Sequence, residues 1–261
     1  MLRTRQRSTD PADYQRVPHP VAAMPKDFAS GFVIEPHSHE RAQFIHATAG
    51  TMRVSASGSM WVVPPQRALW MPAGVEHGIA MLGDVSMRTL YLRDDAAAAM
   101  PRSCQVLPVS PLLRELIVRA TELPLHYDED GPAGLVIALL LTELHGLQSL
   151  PLQLLMPQAG RLRTLCHALL DAPGDQRTLR EWARTVNASE RTVARLFQSE
   201  TGLSFGAWRQ QARMLEAMGR LGSGVPVTQV ALDLGYDSVS AFSAMFRRAA
   251  GASPSAYRHR A

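Results

Sequence analysis

The sequence predicts an α+β chain of two domains: an N-terminal β-barrel with helices following it, and a C-terminal all-α domain. Three observations lead there. The length of 261 residues suggests about two domains. Short apolar segments set off by Gly, Pro, Ser or Asp fill much of the first hundred residues, as in sandwiches and barrels. The last hundred residues repeat one device twice, a short amphipathic helix, a tight turn and a second helix. Hydrophobic residues make up 46% of the chain, enough for a core in each domain.

The second copy of the device is the plainer one. Val227, Val230, Ala231 and Leu234 recur at helical spacing, and Gly235 follows at once. Glycine takes a left-handed turn there without steric cost. Asp237 or Ser238 can cap the next helix, which buries Phe242, Met245 and Phe246. Gly251 is expected to close that helix, and Pro254 to prevent its resumption. In the first copy Leu179, Trp182, Ala183 and Val186 make a helix, Asn187 sits at the turn and Ser189 caps the next helix. That helix buries Val193, Leu196 and Phe197, and Gly202 stops it. Residues 204–221 read as one helix joining the two copies. A helix held across another by a tight turn is the geometry that enters a DNA major groove.

The words SERTVARLFQSETGLSF from Ser189, RQQARMLEA from Arg209 and ALDLGYDSVSAFSAMFRRAAGASPSAYR from Ala231 resemble the AraC/XylS-type DNA-binding domain over residues 160–258. The resemblance implies a sequence-specific transcription regulator whose partner is double-stranded operator DNA. Ser189, Arg191, Thr192, Ala194, Arg195 and Gln198 form the first candidate row, and Ser238, Val239, Ser240, Ser243, Ala244 and Arg247 the second. Arg191 and Arg195 are the expected base readers, because a guanidinium can make two hydrogen bonds to guanine, with phosphate contact as the other role. The second row is short until Arg247. It is expected to fix position more than to read bases.

In the N-terminal half, strands are expected at 28–35, 42–47, 51–56, 60–63, 67–71, 77–81 and 86–92, with hairpin turns at Ala49-Gly50 and Ser57-Gly58. Two words there resemble cupin motifs: Gly31, His37, His39, Gln43 and Gly50, then Pro72, Gly74 and His77. Cupins hold one metal ion with the paired histidines, an acidic residue and the later histidine. Here Gln43 stands where the glutamate belongs, Gln66 replaces the opening glycine of the second word, and Met81 stands where asparagine is common. The resemblance therefore implies the barrel. For the site it leaves two readings: a divalent metal such as zinc, iron, nickel or manganese, or a polar cavity for an effector without metal. His46 falls on the opposite strand face from Gln43, and Glu40 reads as solvated.

The expected division is a flexible arm over 1–25, a sensor barrel over 26–95, connector and dimerisation helices over 96–150, a linker over 151–158 and the DNA-binding domain over 159–261. Residues 158–261 carry fourteen arginines against eight carboxylates, a net +6, whereas residues 1–157 carry −2. The basic charge accompanies the reading heads, as attraction to phosphate requires. PAGLVIALLLTELHGL, residues 132–147, is apolar round most of its circumference and needs burial on several sides. The family resemblance implies a homodimer through such a helix, a small-molecule or metal effector and contact with RNA polymerase. Two distant cysteines, Cys104 and Cys166, an N-terminus without an apolar signal core and the lack of a long apolar run lead to the expectation of a cytoplasmic protein that meets no membrane. No catalytic residue is singled out. The alternative function is a cupin metal-dependent enzyme fused to a DNA-binding domain, for which the three histidines speak and the missing fourth ligand does not.

Overall fold

A computed structural model describes residues 8–148, 154–157, 159–222, 224–250 and 252–259. The chain divides into two compact units. One holds residues 1–54 and 63–151, the other residues 55–62 and 152–261.

The first unit is built on antiparallel strands. They are β1 (Val21–Phe28), β2 (Val33–His37), β3 (Ala42–Ala56), β5 (Arg67–Met71), β6 (His77–Leu92) and β7 (Gln105–Pro108); β4 (Ser59–Val63), which returns from the β3 hairpin, falls in the other unit but for Val63. β1 lies along β6 from Val21 opposite Leu92 to Phe28 opposite Val85. β2 pairs with the start of β6, which sets His37 opposite His77. β3 pairs with β5, with Gln43 opposite Met71, and β5 pairs with β7. A four-residue helix, α1 (Asp94–Ala97), leads to β7. Then come α2 (Pro111–Glu122), capped by Ser110, and α3 (Pro132–His145). Ala42, Phe44, Ala68, Trp70, Leu90 and Leu92 alternate along their strands and pack in one cluster with Leu113, Ile117, Ile137 and Leu140 of the two helices. Covering this outer face explains why the strands read as apolar runs rather than strict alternation.

Several expectations are corrected. Residues 8–25 are not an arm: Pro11–Tyr14 form a 3₁₀ turn, Tyr14 is buried and stacks on Tyr91, and β1 starts at Val21. Arg41 holds this segment by donating to the carbonyls of Gln15 (3.0 Å), Val17 and His19 (3.1 Å). Residues 1–7 lie outside the described part. Ala49-Gly50 is not a hairpin turn, since β3 runs through it to Ala56. Gly50 has φ 76°, and a Cβ there would stand 2.1 Å from the Asp84 carbonyl oxygen, so glycine lets the strand pass. In the same way 77–81 and 86–92 are one strand, β6. Ser57-Gly58 is a turn, with both φ values positive.

The second unit has two cores on one long helix. Its elements are β8 (Leu154–Leu155), α4 (Gly160–Asp171), α5 (Leu179–Thr185), α6 (Glu190–Thr201), α7 (Phe205–Gly222), α8 (Val227–Asp233), α9 (Val239–Ala250) and α10 (Pro254–His259). The first core joins Leu165, Trp182, Val193, Phe197, Trp208 and Leu215, from α4 to α7. The second joins Met218, Leu221, Val230, Leu234, Phe242 and Phe246, from α7 to α9. The linker expected over 151–158 is partly structured. Leu154 and Leu155 pair with Met60 and Ser59, and Met60, Val62 and Leu154 complete the first core. Gln158 and residues 151–153 lie outside the described part, as does Gly251. Pro254 starts α10, since its missing N–H is no loss at a helix N-terminus.

His46 is fully buried on β3, with Nδ1 3.1 Å from the Arg67 carbonyl and Nε2 without a partner among the described residues. Burial pushes its pKa down to about 4. The folded chain thus keeps His46 neutral where the unfolded chain binds a proton, near pH 6.5. The unfolded state holds more protons between these values, so stability falls as pH drops from about 6.5 to about 4, by about 3 kcal/mol at most. Urea denaturation should show His46→Leu losing distinctly less stability than wild type between about pH 7 and about pH 4.5. Equal losses would exclude His46 as the group responsible.

Candidate nucleic-acid interface and sensor site

In the second unit both heads form as capped helices after tight turns. Thr178 and Glu181 close a capping box at the start of α5, and Asn187 turns the chain with φ 51°. Ser189 Oγ accepts the Thr192 N–H at 3.1 Å and lies 2.8 Å from the Thr192 hydroxyl. At the far end of α6 Gln198 Nε2 donates to the Gly202 carbonyl at 3.1 Å, and Gly202 ends the helix with φ 69°. Ser189, Thr192 and Gln198 therefore have work within the helix itself. Arg191, Ala194 and Arg195 are exposed on its outer side. Neither arginine has a hydrogen-bond or ion-pair partner among the described residues. The two lie four apart and share a face.

The second head follows the same plan. Gly235, at φ 73°, separates α8 from α9, and Ser238 Oγ accepts the Ala241 N–H at 3.1 Å. Val239, Ser240, Ala244 and Arg247 are exposed, and Ser243 is half-buried. Ala241 is exposed as well, in the first turn after the Ser238 cap. Trp182 and Trp208 are buried in the first core, and the Arg177 guanidinium lies 3.7 Å over the Trp182 ring.

In the first unit His37, His39 and His77 come together, with one ligand atom from each within 4.8 Å of the others. Their approach follows from the β2–β6 register and the short turn after β2. His37 Nδ1 lies 2.8 Å from the Glu35 carbonyl and His77 Nδ1 3.0 Å from that of Val75. A carbonyl only accepts, so each Nδ1 carries the proton and each Nε2 presents a lone pair. His77 Nε2 is buried without a partner among the described residues. His37 Nε2 and His39 Nε2 are 3.2 Å apart. Two nitrogens bound to one tetrahedral ion at about 2.0–2.1 Å would be about 3.3 Å apart, so the His37–His39 pair has the spacing of ligands to one divalent ion, with a His77 nitrogen within 4.8 Å of them. The carbonyl bonds at Nδ1 are the outer contacts that such ligands use.

The electrostatics favour neutral rings at His39 and His77. Burial, then the neighbouring His37 and His77, lowers the His39 pKa to about 4. Burial also lowers that of His77, against the bond to Val75. His39 meets the Tyr91 ring edge-on at 5.2 Å, and Gln43 Nε2 donates to the Tyr91 hydroxyl at 3.4 Å. The Gln43 carbonyl oxygen is buried and has no partner among the described residues. Glu40 is exposed and faces Arg16 at 3.7 Å, and His46 is not in the cluster. Among the described residues no carboxylate or thiol joins the three histidines, and no helix is long and apolar enough to cross a membrane.

Comparison with known proteins places both units. A family described as AraC-like ligand binding domain matches residues 28–172, and one described as helix-turn-helix domain matches residues 182–260. The HTH-type transcriptional regulator NimR of Escherichia coli K12 is 35% identical over 221 residues, which cover 85% of this chain and 81% of that protein. RipA of Corynebacterium glutamicum, also an HTH-type transcriptional regulator, is 33% identical over 102 residues, 39% of this chain and 31% of that protein. The arabinose operon regulatory protein of Salmonella typhimurium is 30% identical over 104 residues, 39% and 37% of the two chains. With a ligand-binding domain matched over more than half its length and two capped helix-turn-helix heads behind it, the chain belongs to the AraC family of DNA-binding transcription regulators.

Proposed function

We propose that the first head reads sequence, that the second mainly fixes position, and that the histidine trio is the effector seat. The observation that carries the first part is the pair of exposed guanidinium groups on α6, without partners among the described residues, against a row of short side chains on α9. An arginine can address guanine O6 and N7 together, whereas Ser240 and Ser243 offer single hydroxyls and Ala244 a methyl. Arg247 sits past the short row and suits a phosphate. Each helix of the pair addresses one of two successive major grooves. Arg195→Ala should cost about 1–3 kcal/mol on the preferred site and relax preference at one base position. Arg247→Ala should weaken all sequences alike, and Ser243→Ala should change little. Binding to a randomised DNA library reads all three. An unchanged base preference for Arg195→Ala, with preference lost for Ser243→Ala, would reverse the assignment.

In the sensor unit His37, His39 and His77 would hold a divalent metal, with Gln43 the neutral group closest in kind to a fourth ligand. A metal so held would supply open coordination positions for an oxygen or nitrogen of a small-molecule effector. Metal analysis of the purified chain should find about one divalent ion per chain, lost in His37→Ala with His77→Ala. Equal metal content in the two would remove the trio as the ligand set, leaving a cavity for an effector without metal.

The same reading makes the protein a homodimer, in contact with RNA polymerase at a promoter and at work in the cytoplasm. Leu135 is 72% and Leu139 45% exposed on one face of α3, and Leu112 of α2 is exposed too, while Leu140 is wholly buried. A second copy covering that face would use C2 symmetry. Sedimentation of Leu135→Glu with Leu139→Glu should give monomer where wild type gives dimer. Leu140 is unsuitable for this purpose, because a charge there would break the unit's own core.

A further inference from the structure

We infer that the groove between α7 and α9 is a phosphate seat, and that its occupant is a phosphodiester of the DNA backbone flanking the second head. The groove encloses about 310 Å³. Arg209, Gln210 and Arg213 line it from one face of α7, Met245 and Arg248 from α9, and Tyr236 from the turn between α8 and α9. Three guanidinium groups thus surround one space with no carboxylate among its described lining residues.

These cations are positioned but not neutralised. Arg213 is buried in the wall, where Nε donates to the Pro173 carbonyl at 2.7 Å and Nη2 to that of Asp175 at 2.9 Å. Arg209 Nη1 donates to the Arg177 carbonyl at 2.9 Å. Carbonyl bonds orient a guanidinium and leave its charge in place. Of the nearby acids, Asp175 pairs directly with Arg177 at 2.7 Å and reaches Arg209 and Arg213 only through its charge, and Asp233 pairs with Arg220. Arg248 is exposed, with no hydrogen-bond or ion-pair partner among the described residues. Burial and the Arg209 charge hold Arg213 below the ordinary guanidinium range, the crowding an anion would relieve.

The place on the helix selects the anion. Arg248 follows Ala244 by four, so it stands one turn along from the row that faces bases. A helix in the major groove has phosphates along both edges, and a guanidinium fork matches two oxygens of one phosphate. The Tyr236 hydroxyl and the Gln210 amide add neutral donors of the kind that position DNA without reading it.

The inference rests on the reading of α9 as a DNA-contacting helix, and the test separates the two. Binding of the full chain to a sequence selected from random DNA is followed against chloride concentration. Arg209→Gln and Arg248→Gln should each lower the log–log salt slope by about one and weaken selected and random DNA by similar factors. Arg248→Lys should keep the slope, and circular dichroism should show all three variants folded. Wild-type slope and affinity in the Arg209→Gln, Arg248→Gln double variant would overturn the seat and leave the regulator standing. Failure of wild type to bind any selected DNA would overturn both. Calorimetric titration with inorganic phosphate, without DNA, is the other arm. Phosphate binding lost in Arg248→Gln, together with an unaltered DNA salt slope, would assign the groove to a free anion and overturn the DNA assignment.

Discussion

Arg213 is the residue on which the C-terminal unit turns. Taking a guanidinium out of water costs several kcal/mol unless its N–H groups find acceptors. Here the acceptors are the carbonyls of Pro173 and Asp175, in the turn that ends α4. That turn is pressed from the other side too. A Cβ on Gly174 would stand 2.2 Å from the Asp233 carbonyl oxygen, and the Gln176 side chain donates to the Gly235 carbonyl. One short segment before the first head thereby touches both the connecting helix and the turn of the second head. The separation of the two reading helices is then a property of packed backbone as well as of α7. Gly174 and Gln176 thereby help to set the separation of the two helix-turn-helix units.

The two heads share this frame but divide the chemistry. Their caps use the same residue, serine at 189 and at 238, with an N–H three residues on as donor. Their outer rows differ. Long cations face out from α6, while α9 exposes small side chains and gathers its arginines at Arg247 and Arg248, towards its C-terminal end. A helix with small side chains can approach base edges closely, and its hold then comes from charge at the margin. The exposed arginines on α6 and the arginine-lined groove beside α9 concentrate positive charge at two places in the C-terminal unit.

Much of this was legible in the sequence because helix punctuation is local. Gly202, Gly235, Ser189 and Ser238 mark ends by the backbone angles and hydrogen bonds each residue type permits. The histidine trio was legible for a similar reason, since its spacing lies within two short words. What escaped depended on distant partners. Gly50 looks like a turn until β6 is laid beside β3, where it lets one strand pass another's carbonyl. Residues 8–20 look like a polar arm because nothing local shows that Arg41 collects their carbonyls. Leu154 and Leu155 look like linker because their strand partner lies near residue 60. Leu140 and Leu139 are neighbours in an apolar run, and only the packing against α2 and the strands decides which is core. The Arg209–Arg248 groove is assembled from two helices and a turn, so no single stretch announced it.

The hairpin tip at 55–62 bears on how such regulators can be recombined. Met60 and Val62 pack with Leu154, Leu162 and Trp182, so the hydrophobic interior around the first head is not encoded in one continuous stretch of gene. Regulators of this kind invite engineering by exchange, in which a foreign sensor is spliced ahead of the reading heads. A splice placed near residue 158 would carry away Met60, Val62 and Leu154 together. It would also leave the Trp208 indole N–H without the Leu155 carbonyl that it meets at 2.9 Å. A chimera would need to supply its own two-stranded plug of similar shape, or to substitute smaller, self-sufficient residues around Trp208. The C-terminal unit is thus not encoded by one uninterrupted stretch of the chain.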